Sequence, residues 1–253
     1  MKIETVDHAA FSDIRLSVLT DPHLRDGIGT YKEKKLHLIL KRYFIREAEN
    51  REVPFRGYVC DGKTGDLITE IMTSTLHGLS DKLSAFLPDN RVNVVFPLIA
   101  EKRLYWIDPS SGETSGGKLS PRKDGLPRLL SELVYILGHL SSPNLTVTAV
   151  FIRADEYRVL DGRGPEKKIG AQKIDKIPAE ILKVVSFDLN TDIGLFLPDG
   201  LKDEFTRTDF GKAAKLSGRR LSGAMKVLER AGVIRDTGKS SRPKIYNAGP
   251  QRP

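Results

Sequence analysis

The chain has 253 residues, 39% hydrophobic and 29% charged, which is enough for two packed cores and too apolar for a disordered chain. Its longest charge-free stretch, residues 133–152, is broken by Gly138-His139 and by Ser141-Ser142-Pro143-Asn144, so it excludes a membrane-spanning helix, and the lone Cys60 excludes internal disulfides and cysteine-rich zinc sites. The net charge of +8 sits at one end: residues 205–253 hold 12 basic and 3 acidic side chains, net +9, leaving 29 basic against 30 acidic before them.

In chain order, Thr30 opens an amphipathic helix to about Ile45, with Leu36, Leu40, Tyr43 and Phe44 on one face. Glu33 projects between Leu36 and Phe44, and His37 lies one turn on beside it. Residues 56–61 and 66–73 read as two strands joined by the Gly62–Gly65 turn, with the Asp-Gly pair as the hairpin signal. A second helix follows, spaced by Leu76, Leu79, Leu83 and Phe86 and capped by Ser74 or Thr75. Residues 92–96 form a nearly continuous apolar strand suited to a sheet centre covered on both faces. A strand over 103–108, a Ser/Gly loop to Gly117, a helix over 126–140 and a strand over 145–152 complete this region. Residues 161–176 read as an exposed loop and 181–187 as a helix end or a strand, before Leu197-Pro198-Asp199-Gly200 punctuates the chain.

In the basic segment, Thr206 or Thr208 caps a helix through Lys215, and Ser217 caps another whose inner stripe is Leu221, Met225 and Leu228. Gly232 ends that helix, and residues 233–235 and 244–246 can pair as short strands. This resembles a winged helix-turn-helix, with Lys226 to Ile234 typical of the passage from second helix to wing. The resemblance implies double-stranded DNA as partner, with Arg219, Arg220 and Lys226 on the recognition helix and Lys239, Arg242 and Lys244 on the wing. Use of such a module for protein contacts or as a homodimer interface is the alternative.

Earlier in the chain, Glu33 on a helix, Asp61 ending a strand and Glu70 in the next strand can converge as an all-oxygen site for Mg²⁺ or Mn²⁺. Each also has a structural reading: a capping box with Thr30, the first position of a turn, and a pair with a neighbouring lysine. The order helix Glu, strand Asp, strand Glu-x-x resembles the PD-(D/E)XK restriction-endonuclease-like superfamily. More narrowly, the chain is similar to an uncharacterised bacterial family joining such a domain to a C-terminal winged helix. That likeness is carried by Glu33 to His37, Glu52-Val53-Pro54, Gly57 to Asp61, Glu70 to Thr73, Phe96 to Lys102 and Pro143 to Thr146.

The resemblance implies an α/β fold: a restriction-endonuclease-like mixed sheet flanked by helices, plus a small winged-helix domain. Residues 1–29 are then an N-terminal extension, 30–197 the nuclease-like domain (core about 30–110, extension 111–197) and 205–253 the winged helix-turn-helix. It also implies catalytic roles for Glu33, Asp61 and Glu70, with Asp61 and Glu70 holding the metal. Met72, however, occupies the place of the pattern's Lys, and a thioether neither donates a hydrogen bond nor carries charge. Lys82 and Lys102 are the candidate substitutes. The expectation is therefore a DNA-binding protein whose metal-dependent deoxyribonuclease activity is weak or lost; a regulator-like or adaptor protein using the fold as scaffold is the alternative.

Two further signals lead nowhere. Gly112 to Lys118 matches the start of a phosphate-binding loop, but Leu119 replaces the metal-binding Ser/Thr and Pro121 interrupts the helix that must follow. The five histidines show no paired ligand spacing. Without a secretory-type N-terminus, the expected setting is cytoplasmic, with no membrane association.

Overall fold

The computed structural model describes residues 1–22, 35–162, 170–239 and 242–249. Its first part comprises β1 (Lys2–Glu4), α1 (His8–Thr20), α2 (Lys35–Phe44), β2 (Arg51–Phe55), β3 (Tyr58–Thr64), β4 (Leu67–Ile71), α3 (Leu79–Phe86), β5 (Arg91–Ile107), β6 (Thr114–Leu119), α4 (Leu126–Glu132), β7 (Leu145–Val159), β8 (Gln172–Asp188) and α5 (Leu189–Asp192). The basic segment adds β9 (Glu204–Thr206), α6 (Arg207–Ala214), α7 (Gly218–Arg230), β10 (Ile234–Asp236) and β11 (Ile245–Ala248). The architecture is mixed α/β: a large mixed sheet flanked by helices, and a small second sheet.

The large sheet runs β1-β8-β7-β5-β4-β3-β2, with β6 also on β5. Both β4 and β7 are parallel to β5, and the remaining pairs are antiparallel. β5 changes partner along its length. Residues 91–95 pair with β4, residues 103–107 pair with β6, and no strand pairs with the stretch between on that side. The carbonyl of Val95 still accepts from Met72 N on this edge, at 2.9 Å. Pro97, two residues on, faces the same side just past the end of β4, where a proline costs the sheet no ladder bond. After β6 the chain crosses back beside this stretch, with Ser120 N donating to Lys102 O at 2.7 Å and Asp124 N to Ile99 O at 2.8 Å.

Alternation along β5 sends Val92, Val94 and Phe96 to one face and Val95 to the other. On the first face they meet Leu79, Leu83 and Phe86 of α3, Leu129 and Leu130 of α4, and Leu133 and Ile136 beyond it. On the second, Phe11 and Val18 of α1 and Leu36, Ile39 and Leu40 of α2 cover Ile71, Val95, Val150 and Ile152. Burial on both faces is why residues 92–96 are almost unbrokenly apolar. Residues 1–22 are built into this fold: β1 extends the sheet beside β8, and Phe11 meets Tyr43 edge-on.

In the basic segment, Thr206 caps α6 in a reciprocal box with Asp209, and the small sheet has the order β10-β11-β9. Its apolar side chains, including Phe210, Leu221, Met225 and Leu228, belong to the same buried cluster as α3, α4 and the sheet. α7 lies so close on α4 that a Cβ on Gly223 would stand 3.0 Å from Ser131 O.

Several expected elements differ. The strands over 92–96 and 103–108 are one, because a proline just past the end of β4 and the charged run Glu101-Lys102-Arg103 disguise a strand that β7 supports throughout. The last four residues of the Ser/Gly loop, 114–117, belong to strand β6, and β8 takes in residues 172–176 of the expected loop as well as 181–187. The helix over 126–140 turns into a 3-10 helix at Leu133, with Ile136 out of helical geometry. The helix expected from Ser74 or Thr75 starts after Gly78. Asp61 does not end its strand: β3 continues to Thr64, and the turn is Gly65-Asp66, with Gly65 at φ +58°. A second hairpin precedes it, turning at Arg56-Gly57, both at positive φ as a type I′ turn requires. No helix among the described residues is long and apolar enough to cross a membrane.

Candidate functional site

β3 and β4 pair from Thr64↔Leu67 to Gly62↔Thr69 and then separate. Gly62 sits under the Ile45 side chain just after α2, where a Cβ would stand 2.4 Å from Ile45 Cδ1 and force that side chain aside. Just beyond, the side chain of Asp61 takes over from the ladder. Asp61 Oδ2 accepts from Ile71 N at 2.8 Å and pairs with His37 Nε2 of α2 at 3.3 Å. Glu70, 2% exposed, accepts at Oε2 from Lys82 Nζ of α3 at 2.8 Å. Lys82 is fixed by a second bond to Val59 O, also 2.8 Å. Glu70 Oε1 is buried with no hydrogen-bond partner.

The two carboxylates titrate in opposite directions. Burial pushes Asp61 up, but the His37 bond and charge and the Ile71 N–H outweigh it and hold the carboxyl below its ordinary range. Burial pushes Glu70 up more than the Lys82 bond and charge bring it down, and the Asp61 charge adds to the rise. Side by side, then, stand an ionised carboxylate and one that keeps its proton to higher pH.

Of the residues expected to supply chemistry, Glu33 lies outside the described residues. Among those described, no group of three His, Cys, Asp or Glu gathers to hold a metal. Met72 packs against the core beside α3, and the cation near Glu70 comes from Lys82. Lys102 points elsewhere, to Glu156 Oε2 at 3.2 Å. Two residues not singled out from the sequence organise the segment after β4: Arg128 and Glu132 of α4 pair with each other, Arg128 donates to Ser74 O at 2.7 Å, and Glu132 accepts from Leu76 N at 3.1 Å. Their i,i+4 spacing on a predicted helix was the only sequence signal.

The cations of the basic segment divide in two. Lys239 is paired with Glu204 at 2.6 Å and Lys244 with Asp236 at 2.8 Å. Arg219, Arg220, Lys226 and Arg242 are exposed, and no described residue pairs with them. Arg219, Ser222, Lys226 and Arg230 recur at three- and four-residue spacing opposite the buried stripe of α7, and Arg207 of α6 joins them by donating to Ser222 Oγ at 2.8 Å. Arg207 and Arg230 escaped the sequence reading, although the stripe Leu221, Met225 and Leu228 already fixed the opposite face.

The chain belongs to the family described as "Domain of unknown function (DUF8091)", which matches residues 34–188 and so contains Asp61, Glu70 and Lys82. A protein of Treponema pallidum (strain Nichols), described as uncharacterized, is 26% identical over 224 residues, 88% of this chain and 88% of its own. That likeness extends beyond the family match. No solved structure matches.

Proposed function

We propose that the protein binds duplex nucleic acid through the exposed face of α7. One observation carries this: Arg219, Lys226 and Arg230 share that face with Arg207 beside them, and no described carboxylate neutralises any of the four. Unpaired cations on a helix face gain affinity by displacing phosphate counterions. The succession β9-α6-α7-β10-β11 supports reading the module as a winged helix-turn-helix with α7 as the recognition helix. Fluorescence anisotropy with mixed-sequence duplexes tests it. The double variant Arg219→Ala/Lys226→Ala should bind about tenfold more weakly at moderate salt, with a salt slope lower by about two. Unchanged affinity overturns the reading.

The Asp61–Glu70–Lys82 arrangement favours a second role for the same protein, a restriction-endonuclease-like phosphodiesterase in which Lys82 takes the place left by Met72. Glu70 Oε1, buried without a partner beside the ionised Asp61, is the kind of oxygen a divalent cation takes up. Asp61 and Glu70 would hold Mg²⁺ or Mn²⁺, and the ion would supply activation of water and neutralisation of charge at a phosphodiester. Plasmid cleavage with either ion should be weak in the wild type and absent in Asp61→Asn, Glu70→Gln and Lys82→Met. No cleavage by the wild type, or equal cleavage by all four, removes this role and leaves the fold as a scaffold for DNA binding.

A further inference from the structure

The stretch of β5 between the end of β4 and the start of β6, where a loop rather than a strand lies beside it, forms part of the lining of a cavity of about 250 Å³. Phe96, Pro97, Ile99 and Lys102 of β5 line it, together with Thr73 and Ser74 just after β4. Its walls bring in cations from four further elements: Arg122 of the crossing loop, Arg128 of α4, Lys176 of β8 and Arg220 of α7. A crevice beyond the carboxyl end of a parallel strand is where open α/β sheets place ligands. This one is smaller than the roughly 300–1,000 Å³ of sites for drug-sized molecules, so it suits a compact group.

The charge in the cavity is unbalanced. Arg128 is matched by Glu132. Lys102 shares the buried Glu156 with Arg158 and Lys173, one carboxylate among three cations. Lys176, Arg122 and Arg220 have no partner among the described residues. The cavity's own carboxylate, Asp124, is turned to the backbone, where it accepts from Ile99 N at 3.4 Å. Burial first, then the neighbouring Lys173 and Lys102, hold the Lys176 ammonium down to about 8, against the attraction of Glu156 and Asp124. An ammonium kept half-buried among other cations is a site waiting for an anion.

We propose that this cavity binds a phosphate group, held by Lys176, Arg122 and Arg220 beside β5. A planar guanidinium from the crossing loop and another from α7 can each take two phosphate oxygens, with the lysine as a point charge from the sheet. The group can arrive as the terminal phosphate of a nucleic acid or as that of a free nucleotide. The inference does not depend on the α7 face, because it uses Arg220 and neither Arg219 nor Lys226.

The experiment titrates the full chain by calorimetry at fixed ionic strength. Its ligands are pyrophosphate, ADP and one oligonucleotide with either a 5′-phosphate or a 5′-hydroxyl. Pyrophosphate should bind the wild type and bind at least tenfold more weakly to Arg122→Ala/Lys176→Met, two changes that leave the buried clusters intact. If the 5′-phosphorylated strand binds about tenfold tighter than its hydroxyl twin and loses that margin in the variant, the phosphate comes from a nucleic-acid end. If ADP binds with the same loss in the variant and the two strands bind alike, it comes from a nucleotide. Arg219→Ala/Lys226→Ala should leave pyrophosphate binding unchanged, so the duplex reading and this one can fail separately. Absence of binding by all phosphate ligands at millimolar concentration, or equal binding by wild type and Arg122→Ala/Lys176→Met, overturns the proposal.

Discussion

Lys82 Nζ stands 2.8 Å from Glu70 Oε2, so a side chain of α3 supplies the positive charge beside the buried carboxylate near the end of β4. Glu70 is 2% exposed and Lys82 is on the rim, which makes their contributions unequal. Removing the cation strands a buried carboxylate, whereas removing the carboxylate leaves a lysine that can turn to water. Lys82→Met should therefore destabilise the protein by about 2–4 kcal/mol at neutral pH, while Glu70→Gln costs clearly less. Urea unfolding of the two variants and of their combination checks this, and equal costs would contradict it.

The opposed titrations of the two carboxylates give opposite pH signatures. Glu70 holds its proton more tightly folded than unfolded, so its contribution is full below the ordinary carboxylate range and is lost as pH rises through its raised folded value. Asp61 is depressed, so its contribution is present above that range and is lost as pH falls through its folded value. The cost of Asp61→Asn should thus be largest near neutrality and fade in acid, and Glu70→Gln should flatten the decline of wild-type stability above the carboxylate range. Stability curves parallel to the wild type at all pH values would refute both assignments.

Glu204 and Asp236 are placed where a polyanion bound by Lys239 and Lys244 would have to displace them. If the α7 face meets phosphate, Glu204→Gln and Asp236→Asn should each tighten duplex binding and steepen its salt dependence by about one phosphate contact. Lys239→Ala should change affinity less than Lys226→Ala. Anisotropy titrations over a salt series measure both effects.

Where α7 rests on α4, the space at Gly223 is tight. A Cβ there would stand 3.0 Å from Ser131 O and 3.3 Å from Val134 Cγ1. Gly223→Ala needs Ser131 to give by only a few tenths of an ångström and gains helix propensity, so it should be nearly neutral, whereas Gly223→Val should cost about 1–3 kcal/mol because the helices must move apart. A thermal midpoint of Gly223→Val equal to wild type would mean that the close approach is not required.

What the sequence disclosed followed its strongest periodicities. Residues 92–96, the stripes of α3 and α7, and the short strands after Gly232 were legible because burial dictates their spacing. α1 was not, since only Phe11 and Val18 of its 13 residues are buried and its apolar face is faint. The hairpin was found but its turn was misplaced: Asp61-Gly62 carries the commoner dipeptide, yet Gly62 lies under Ile45 and the chain turns at Gly65-Asp66. At the site, the sequence offered Asp61 and Glu70 with Lys82 or Lys102 near them, and of the two lysines it is Lys82 that pairs with Glu70. The separate partners of the two carboxylates, His37 and Lys82 from helices on opposite faces of the sheet, depend on packing that one sequence does not display.

The contact between α7 and α4 also sets how the protein comes apart. α4 grips the segment after β4 through Arg128 and Glu132, and α7 covers α4's other flank within one continuous apolar cluster. Cutting the chain between Leu197 and Phe205 would bare that flank, so neither fragment is a ready-made independent unit. Melting of the intact chain should then be a single cooperative event, with α7 lost together with α4 and the segment that α4 holds.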